Sequence, residues 1–257
     1  MSRAVELRER LRRYYTVYYR DVLGIPDWAV LVSLREDEER QEVGRLDRLR
    51  RVLGGEMHGR ILNVGCGTGG FNVVAEAAGL RTVGVDADPE AIAICALKRE
   101  KAGGVFVRAA AERLPFTDAT FDVVYCFSAI EHVESVEETV AEMVRVARPG
   151  GLVYLHTPNA WSWYEGHYKI LWAPFLPRLL GRLYLRLRGR PSDYLATLRR
   201  LTPATLRRAF AHVGIRDVRF HNDAPPRESR GPLRAPIRLY YRLSGVSPFI
   251  ELVARKR

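Results

Sequence analysis

The stretch Arg60-Ile61-Leu62-Asn63-Val64-Gly65-Cys66-Gly67-Thr68-Gly69-Gly70 constrains the fold more than any other part of this 257-residue chain. An apolar run enters a glycine cluster, and Phe71 to Ala78 follows with the composition of a helix. That order reads as strand, tight turn and helix. Glycines let the backbone take positive φ and bring bare N–H groups close to a ligand. The free N–H groups of a helix start also favour an anionic group. Sixteen residues after Gly70, Asp86 closes a second apolar run, Thr82 to Val85. A carboxylate at such a strand end can accept hydrogen bonds from two ribose hydroxyls. The chain is therefore expected to hold a nucleoside-bearing cofactor at the edge of a parallel sheet.

The pattern then alternates. Strands are expected at 61–65, 81–86, 104–108, 121–127 and 152–156, and helices at 69–78, 89–101 and 135–147. Asp88 suits the cap of the second helix and Pro89 its first turn. Ser135-Val136-Glu137-Glu138 reads as a capping box, and Arg148-Pro149-Gly150-Gly151 as a stop. Near-continuous apolar strands between helices specify a parallel sheet covered on both faces. Thr202-Pro203 opens a further helix, 203–213, and strands follow at 215–220 and 249–254. The expected fold is α/β: a Rossmann-like, doubly wound, seven-stranded sheet, mostly parallel with an antiparallel last strand. No core-quality helix is required between the last two strands. Helices at 3–23 and 36–53 precede the first strand and either cover the sheet or lid the cofactor. The expected divisions are 1–54 (N-terminal helices), 55–157 (cofactor core), 158–201 (helical cap) and 202–257 (last helix and strands, with a basic Pro/Arg-rich insert at 222–247).

No apolar run approaches the roughly 18 residues of a membrane span. Met1 to Glu6 has no apolar core for export, so a cytoplasmic protein is expected. Cys66, Cys95 and Cys126 lack metal-type spacing and read as reduced, buried thiols. Charge is unevenly spread: residues 1–167 carry 21 basic and 25 acidic side chains, residues 168–257 carry 20 and 5. A basic C-terminal third suits anionic lipid, a phosphorylated substrate or nucleic acid, or is simply a solvated arginine-rich surface.

The glycine cluster by itself leaves the cofactor open. Gly65, Gly67 and Gly70 satisfy the dinucleotide fingerprint, with Asp86 close to its offset of about 20 residues. Gly65, Gly67 and Gly69 satisfy the looser pattern of S-adenosylmethionine sites. The chain as a whole says more. Ile61 to Gly69, Val83-Gly84-Val85-Asp86, Ala111 to Phe116, Phe121 to Val124, Glu131-His132-Val133 and Arg148 to Gly151 stand in order. Together they resemble the class I S-adenosylmethionine-dependent methyltransferases, in the methyltransferase type 11 branch with the ubiquinone-pathway enzymes. The resemblance is close over residues 55–157 and looser over the last two strands. It implies that Gly65, Cys66, Gly67 and Gly69 approach the methionine part. Asp86, followed by Ala87, would hold the ribose. Ala111 and Glu112 would lie by the adenine, and Phe127 and Ser128 by the methionine end. The chain departs from the family at Ala110, where many relatives carry an acid, and at Ser128, where metal-binding quinone-pathway members carry a carboxylate. No metal is expected.

Methyl transfer to oxygen requires removal of a proton, a role that suits an imidazole. His132, beside Glu131 after the fourth strand, and His167, in the aromatic stretch Trp161 to Lys169, are the candidates. Each has a plainer reading, as a loop-ordering or surface-packing histidine. Arg178 to Arg188 reads as a basic amphipathic helix, with Leu179, Leu180, Leu183, Tyr184 and Leu187 on one side. That profile fits either a helix in a membrane interface or a cap helix packing its leucines on the domain. The expected acceptor is a small or lipid-linked molecule, methylated on oxygen, with peripheral contact to an anionic membrane. The rivals are a nucleic-acid methyltransferase, an NAD(P) oxidoreductase and a non-catalytic binding module. Strand four ends in Ser128-Ala129-Ile130-Glu131, without the Asn/Asp-Pro-Pro-aromatic run of many base-methylating enzymes, which disfavours nucleic acid as substrate.

Overall fold

A computed structural model describes residues 2–257 apart from 56, 58, 103 and 222–233. His58, expected to be structural, and the first half of the basic insert lie outside the described residues.

The sheet has seven strands: β1 (Arg60–Val64), β2 (Arg81–Asp86), β3 (Val105–Arg108), β4 (Phe121–Phe127), β5 (Ala147–Pro158), β8 (Val218–His221) and β9 (Phe249–Arg255). Their spatial order is β3-β2-β1-β4-β5-β9-β8. β1 to β5 pair in parallel, and β9 runs antiparallel to both β5 and β8. This is the expected doubly wound sheet. Order reverses between β1 and β4, so their carboxyl ends part there and leave a cleft.

Side-chain alternation splits the core in two. Leu62, Val64, Val124 and Cys126 pack with α6 (Val136–Val146) and α9 (Pro203–His212). Ile61, Val123 and Tyr125 face α3 (Glu38–Val52) and α4 (Gly70–Ala77) on the other side. On that side Tyr125 stacks between Phe71, at 4.2 Å, and Tyr154, at 5.3 Å. A third cluster joins α1 (Arg3–Thr16) to the cap. The N-terminal helices thus divide the two expected roles, with α3 on the sheet and α1 over the cleft.

Several boundaries differ from expectation. The first helix loosens into π turns at Val17–Val22. An additional helix, α2 (Trp28–Glu36), precedes α3, and the chain breaks between them at Asp37, φ −115° and ψ 49°. α5 (Pro89–Ala102) begins as expected, with Asp88 Oδ1 accepting from the Glu90 amide at 2.8 Å. The capping box of α6 is only half formed. Ser135 Oγ accepts from the Glu138 amide, but the Ser135 amide donates to Glu112. α6 does stop ahead of 148–151, at Val146, but β5 starts earlier than expected and these residues form its irregular first part, where the register with β4 shifts between Phe121 and Val123. The cap holds a small hairpin, β6 (Tyr164–Glu165) with β7 (Ile170–Leu171), then α7 (Arg178–Leu187) and α8 (Tyr194–Thr197). A helix does occur between the last two strands: α10 (Arg234–Ser244), anchored by buried Ile237 and Tyr241. Among the described residues, no helix is long and apolar enough to cross a membrane.

Phe71 is 4% exposed and fills the space between α4 and the sheet. Phe71→Ala should destabilise the protein by about 3–5 kcal/mol. Denaturant unfolding measures this, and a loss under about 1 kcal/mol would mean that the aromatic stack can collapse around the cavity.

Candidate active site

The glycine turn sits where β1 and β4 part. Gly65 has φ +71°, and a Cβ there would lie 2.1 Å from that of Ala129, so only glycine lets this turn pass the loop after β4. Gly67, at φ +53°, has nothing within 4 Å of the same point and opens onto the cleft. Asp86 braces this turn: its Oδ2 accepts from the Gly67 amide at 2.7 Å and its Oδ1 from the Asp88 amide at 2.9 Å. Burial raises the carboxyl's pKa more than these amides lower it. Carboxylate oxygens keep further acceptor capacity, so ribose hydroxyls can still bind. Gly69 differs from expectation. Its missing side chain faces Cys95 and Phe106, each 2.9 Å from a Cβ there, so it serves packing rather than approach to the ligand.

The cleft encloses about 1000 Å³ and includes Gly65, Gly67, Asp86, Ala87, Ala111, Glu112 and Ser128 in its wall. The Glu112 carboxylate is taken by the amides of Glu134, at 2.6 Å, and Ser135, at 3.3 Å, so it fixes the rim. Ser128 stands at φ +51°, an uncommon conformation for a side-chain-bearing residue, and its amide donates to the His156 carbonyl. Tyr14, Tyr15, Tyr18 and Tyr194 complete the enclosure. Tyr14 and Tyr15 come from α1 and Tyr18 from the π turns that continue it, a stretch the sequence shows only as an apolar helix face, while Tyr194 comes from α8 of the cap. The Tyr14 hydroxyl donates to Asp88, which ties the lid to the Asp86 side of the cleft.

A second recess of about 170 Å³ adjoins Gly65, Gly67, Thr68 and Ser128. Cys66 and Phe127 line it, with Arg35, Glu38, Glu42 and Arg45 from the N-terminal helices. The Arg45 guanidinium lies over the Phe127 ring at 4.4 Å. Glu42 Oε2 and the Tyr125 hydroxyl are buried there without a protein partner. Sequence reasoning missed these charged groups because α3 reads as a sheet-covering helix, and its burial of Glu38 and Glu42 has no periodic signature.

The cap brings Glu131, His132 and His167 together. Glu131 is buried in the turn after β4, and its Oε2 accepts from the Thr157 hydroxyl at 2.8 Å. Its Oε1 lies 3.5 Å from His167 Nε2 and 3.9 Å from His132 Nε2. His167 Nδ1 bonds Glu165 at 2.9 Å. One ligand atom from each of Glu131, His132 and His167 lies within 4.8 Å of the others, close enough to share a cation. The two imidazoles differ in charge preference. Burial lowers the pKa of His167, but its bonds and charges with Glu131 and Glu165 outweigh this and carry it to about 9. Burial pulls His132 down, against Glu131, and the His167 charge pulls the same way. At neutral pH the geometry thus holds a cationic His167 and a neutral His132, whose ring faces the cleft.

Comparison with known proteins agrees with this geometry. Residues 62–155 match the family described as a methyltransferase domain. The chain is 39% identical over 141 residues to a protein named an uncharacterized methyltransferase of Mycolicibacterium vanbaalenii, covering 54% of this chain and 55% of that one. It is 37% identical over 124 residues to norajmaline N-methyltransferase of Rauvolfia serpentina, covering 43% and 42%. It is 32% identical over 126 residues to the ubiquinone biosynthesis O-methyltransferase of Aromatoleum aromaticum, covering 48% and 53%. Among solved structures, a SAM-dependent methyltransferase from Archaeoglobus fulgidus superposes with a TM-score of 0.56 at 20% identity, over 87% of this chain and 98% of that one. Residues 62–155 are therefore a methyltransferase domain, with the fold of the class I S-adenosylmethionine-dependent methyltransferases, and S-adenosylmethionine is the cofactor of that class. The chain spans about half the length of these curated relatives or less.

The His167 charge links stability to pH. A pKa raised on folding stabilises fully below the ordinary imidazole value of about 6.5 and ceases to do so as pH rises through the folded value. The stability contributed by His167 should accordingly fade as pH rises through about 9. Denaturant midpoints of His167→Gln should lie below those of the natural chain at neutral pH and converge with them in alkali. A gap that stays constant across that range would mean the imidazole is not charged.

Proposed function

We propose that the protein transfers the methyl group of S-adenosylmethionine to an oxygen of a small, apolar or lipid-linked acceptor. The supporting observation is the joined pair of cavities at the switch point, with Asp86 on one side and a neutral imidazole on the other. The donor set fits the cofactor. Asp86 would take the ribose hydroxyls, with Ala87, Ala111 and Glu112 around the adenine. The recess behind Gly65 and Gly67 would take the amino-acid end, where the unpartnered Glu42 oxygen can accept from an ammonium and Arg35 or Arg45 can meet a carboxylate. An orphaned buried carboxylate oxygen is costly unless a ligand completes its bonding.

When bound, the cofactor supplies a methyl group already activated on a sulfonium. The chain has then to align the acceptor, exclude water and take a proton. The N-terminal tyrosines and Tyr194 exclude water. His132 is the proposed base, since it is neutral and borders the cleft beside Ser128. Its Nδ1 lies 3.4 Å from the Tyr194 hydroxyl, which biases the ring's orientation. His167 is proposed as a positioning residue rather than a base. Its cation satisfies the Glu131 carboxylate, and this leaves His132 uncharged. Acceptor preference is proposed from the cap. A narrow cavity runs from Glu131, Glu165 and His167 to Trp172, Leu176, Leu195 and Leu198, an apolar lining suited to a hydrocarbon tail. The same reading places the protein in the cytoplasm, where it meets this acceptor at an anionic membrane.

Calorimetry with S-adenosylhomocysteine should register binding, and Asp86→Ala should weaken it by about tenfold to a hundredfold, as loss of hydrogen bonds to a charged group implies. No heat with either form of the cofactor, or heat with NADH instead, would end the reading. His132→Ala should lower turnover by about a hundredfold or more while leaving that affinity intact. Unchanged turnover with an oxygen acceptor would remove His132 from the chemistry.

A further inference from the structure

α7 is seated with its apolar side outward. Gly181 and Leu185 are its buried residues. A Cβ at Gly181 would lie 2.7 Å from the Trp172 ring, so this close approach fixes how the helix is turned. Of the two readings the sequence left open, packing of the leucines on the domain does not occur: Leu179 and Leu187 are each 78% exposed, Leu180 50% and Leu183 52%. Arg178, Arg186 and Arg188 are exposed on the same helix or at its end. Just before it, Phe175 is 60% exposed at φ +60°, with its ring 6.0 Å from that of Trp161. α10 repeats the design, with Leu239 and Leu243 exposed alongside Arg238 and Arg242. The Tyr240 hydroxyl donates to the Trp161 carbonyl, so both helices border one cap loop.

We propose that this face docks on an anionic bilayer, with α7 lying in the interface plane, its leucines among the acyl chains and its arginines at the headgroups. Charge complementarity selects this occupant. Residues 168–257 carry 20 basic and 5 acidic side chains. A second copy would bring the same basic face against itself, and a nucleic acid would meet the arginines but leave the leucines in water. A leucine stripe flanked by arginines matches a surface with acyl chains below and anionic headgroups above. The inference rests on the proposed apolar acceptor: the narrow cavity beside Glu131 and His167 also reaches Leu176 and Arg178, at the foot of α7. Docking there would set the cavity's outer end at the membrane.

Flotation of the full chain with vesicles tests this. Vesicles containing phosphatidylglycerol should carry the protein upward in low salt and release it in high salt, and pure phosphatidylcholine vesicles should not. Leu183→Asp with Leu187→Asp should reduce the partition coefficient about tenfold or more. Both residues are exposed, so the melting temperature and S-adenosylhomocysteine affinity should not change. Absence of flotation, or equal flotation of the double variant, would overturn the proposal. So would a dimer in sizing runs that the double variant dissolves, or RNA retention in place of vesicle binding. Cofactor calorimetry separates the two readings. A chain that binds S-adenosylhomocysteine but no vesicle loses only the docking face, and one that binds vesicles but no cofactor loses the proposed function.

Discussion

The bond from the Gly67 amide to the Asp86 carboxylate is the contact on which the rest of the site depends. It joins the ends of β1 and β2 beside the point where strand order reverses, between β1 and β4. The carboxylate is largely buried, so it is costly to hold charged unless donors surround it. Two backbone amides meet part of that cost and leave acceptor capacity directed into the cleft. A sheet that diverges at this point would otherwise expose a row of unpaired amides. The turn instead satisfies most of them internally, Gly65 and Cys66 on the Val85 carbonyl and Gly69 on that of Cys66, and leaves one acid facing the cleft.

The lid answers to the same constraint. Tyr14 reaches Asp88, and the Tyr15 hydroxyl meets Glu38 and Thr68 in a buried cluster that also contains Lys98. These bonds tie α1 and α3 to the two ends of the cleft. Helices that begin the chain thus complete a site whose floor lies in the core. Burying Glu38 at the start of α4 also places its charge where the helix dipole favours it, against Gly70, where a Cβ would lie 2.9 Å from the Glu38 carboxyl carbon.

Much of this was legible in the chain because parallel strands and their turns have local signatures. β1, β2 and β4 are near-continuous apolar runs, and Asp86 stands at a strand end after a glycine-rich turn. Gly65 and Gly67 are specified by geometry that any reader of the turn can infer. Gly69 was misread because a glycine's purpose depends on what faces the absent Cβ, here Cys95 and Phe106, which are distant in sequence. Glu112 has a further task that was hidden for the same reason: while it lines the cleft, its Oε1 accepts from amides 22 and 23 residues away. α7 shows the sharpest limit. A helical wheel separates leucines from arginines but does not say which side docks. That choice was made by Gly181, the least conspicuous residue of the helix, through its contact with Trp172.

The paired histidines carry this logic into the chemistry. Sequence offered His132 and His167 as equivalent bases, since each has a glutamate nearby. Glu131 stands between them but comes closer to His167, which Glu165 also holds, so the proton goes there. Once His167 is charged, its field at 5.0 Å between ring centroids opposes a second proton on His132. One acid and two imidazoles thus divide unequally into a fixed ion pair and an uncharged ring. The asymmetry comes from Glu165, which the β6–β7 hairpin sets beside His167. The small hairpin in the cap therefore helps decide which histidine stays uncharged at the wall of the cleft.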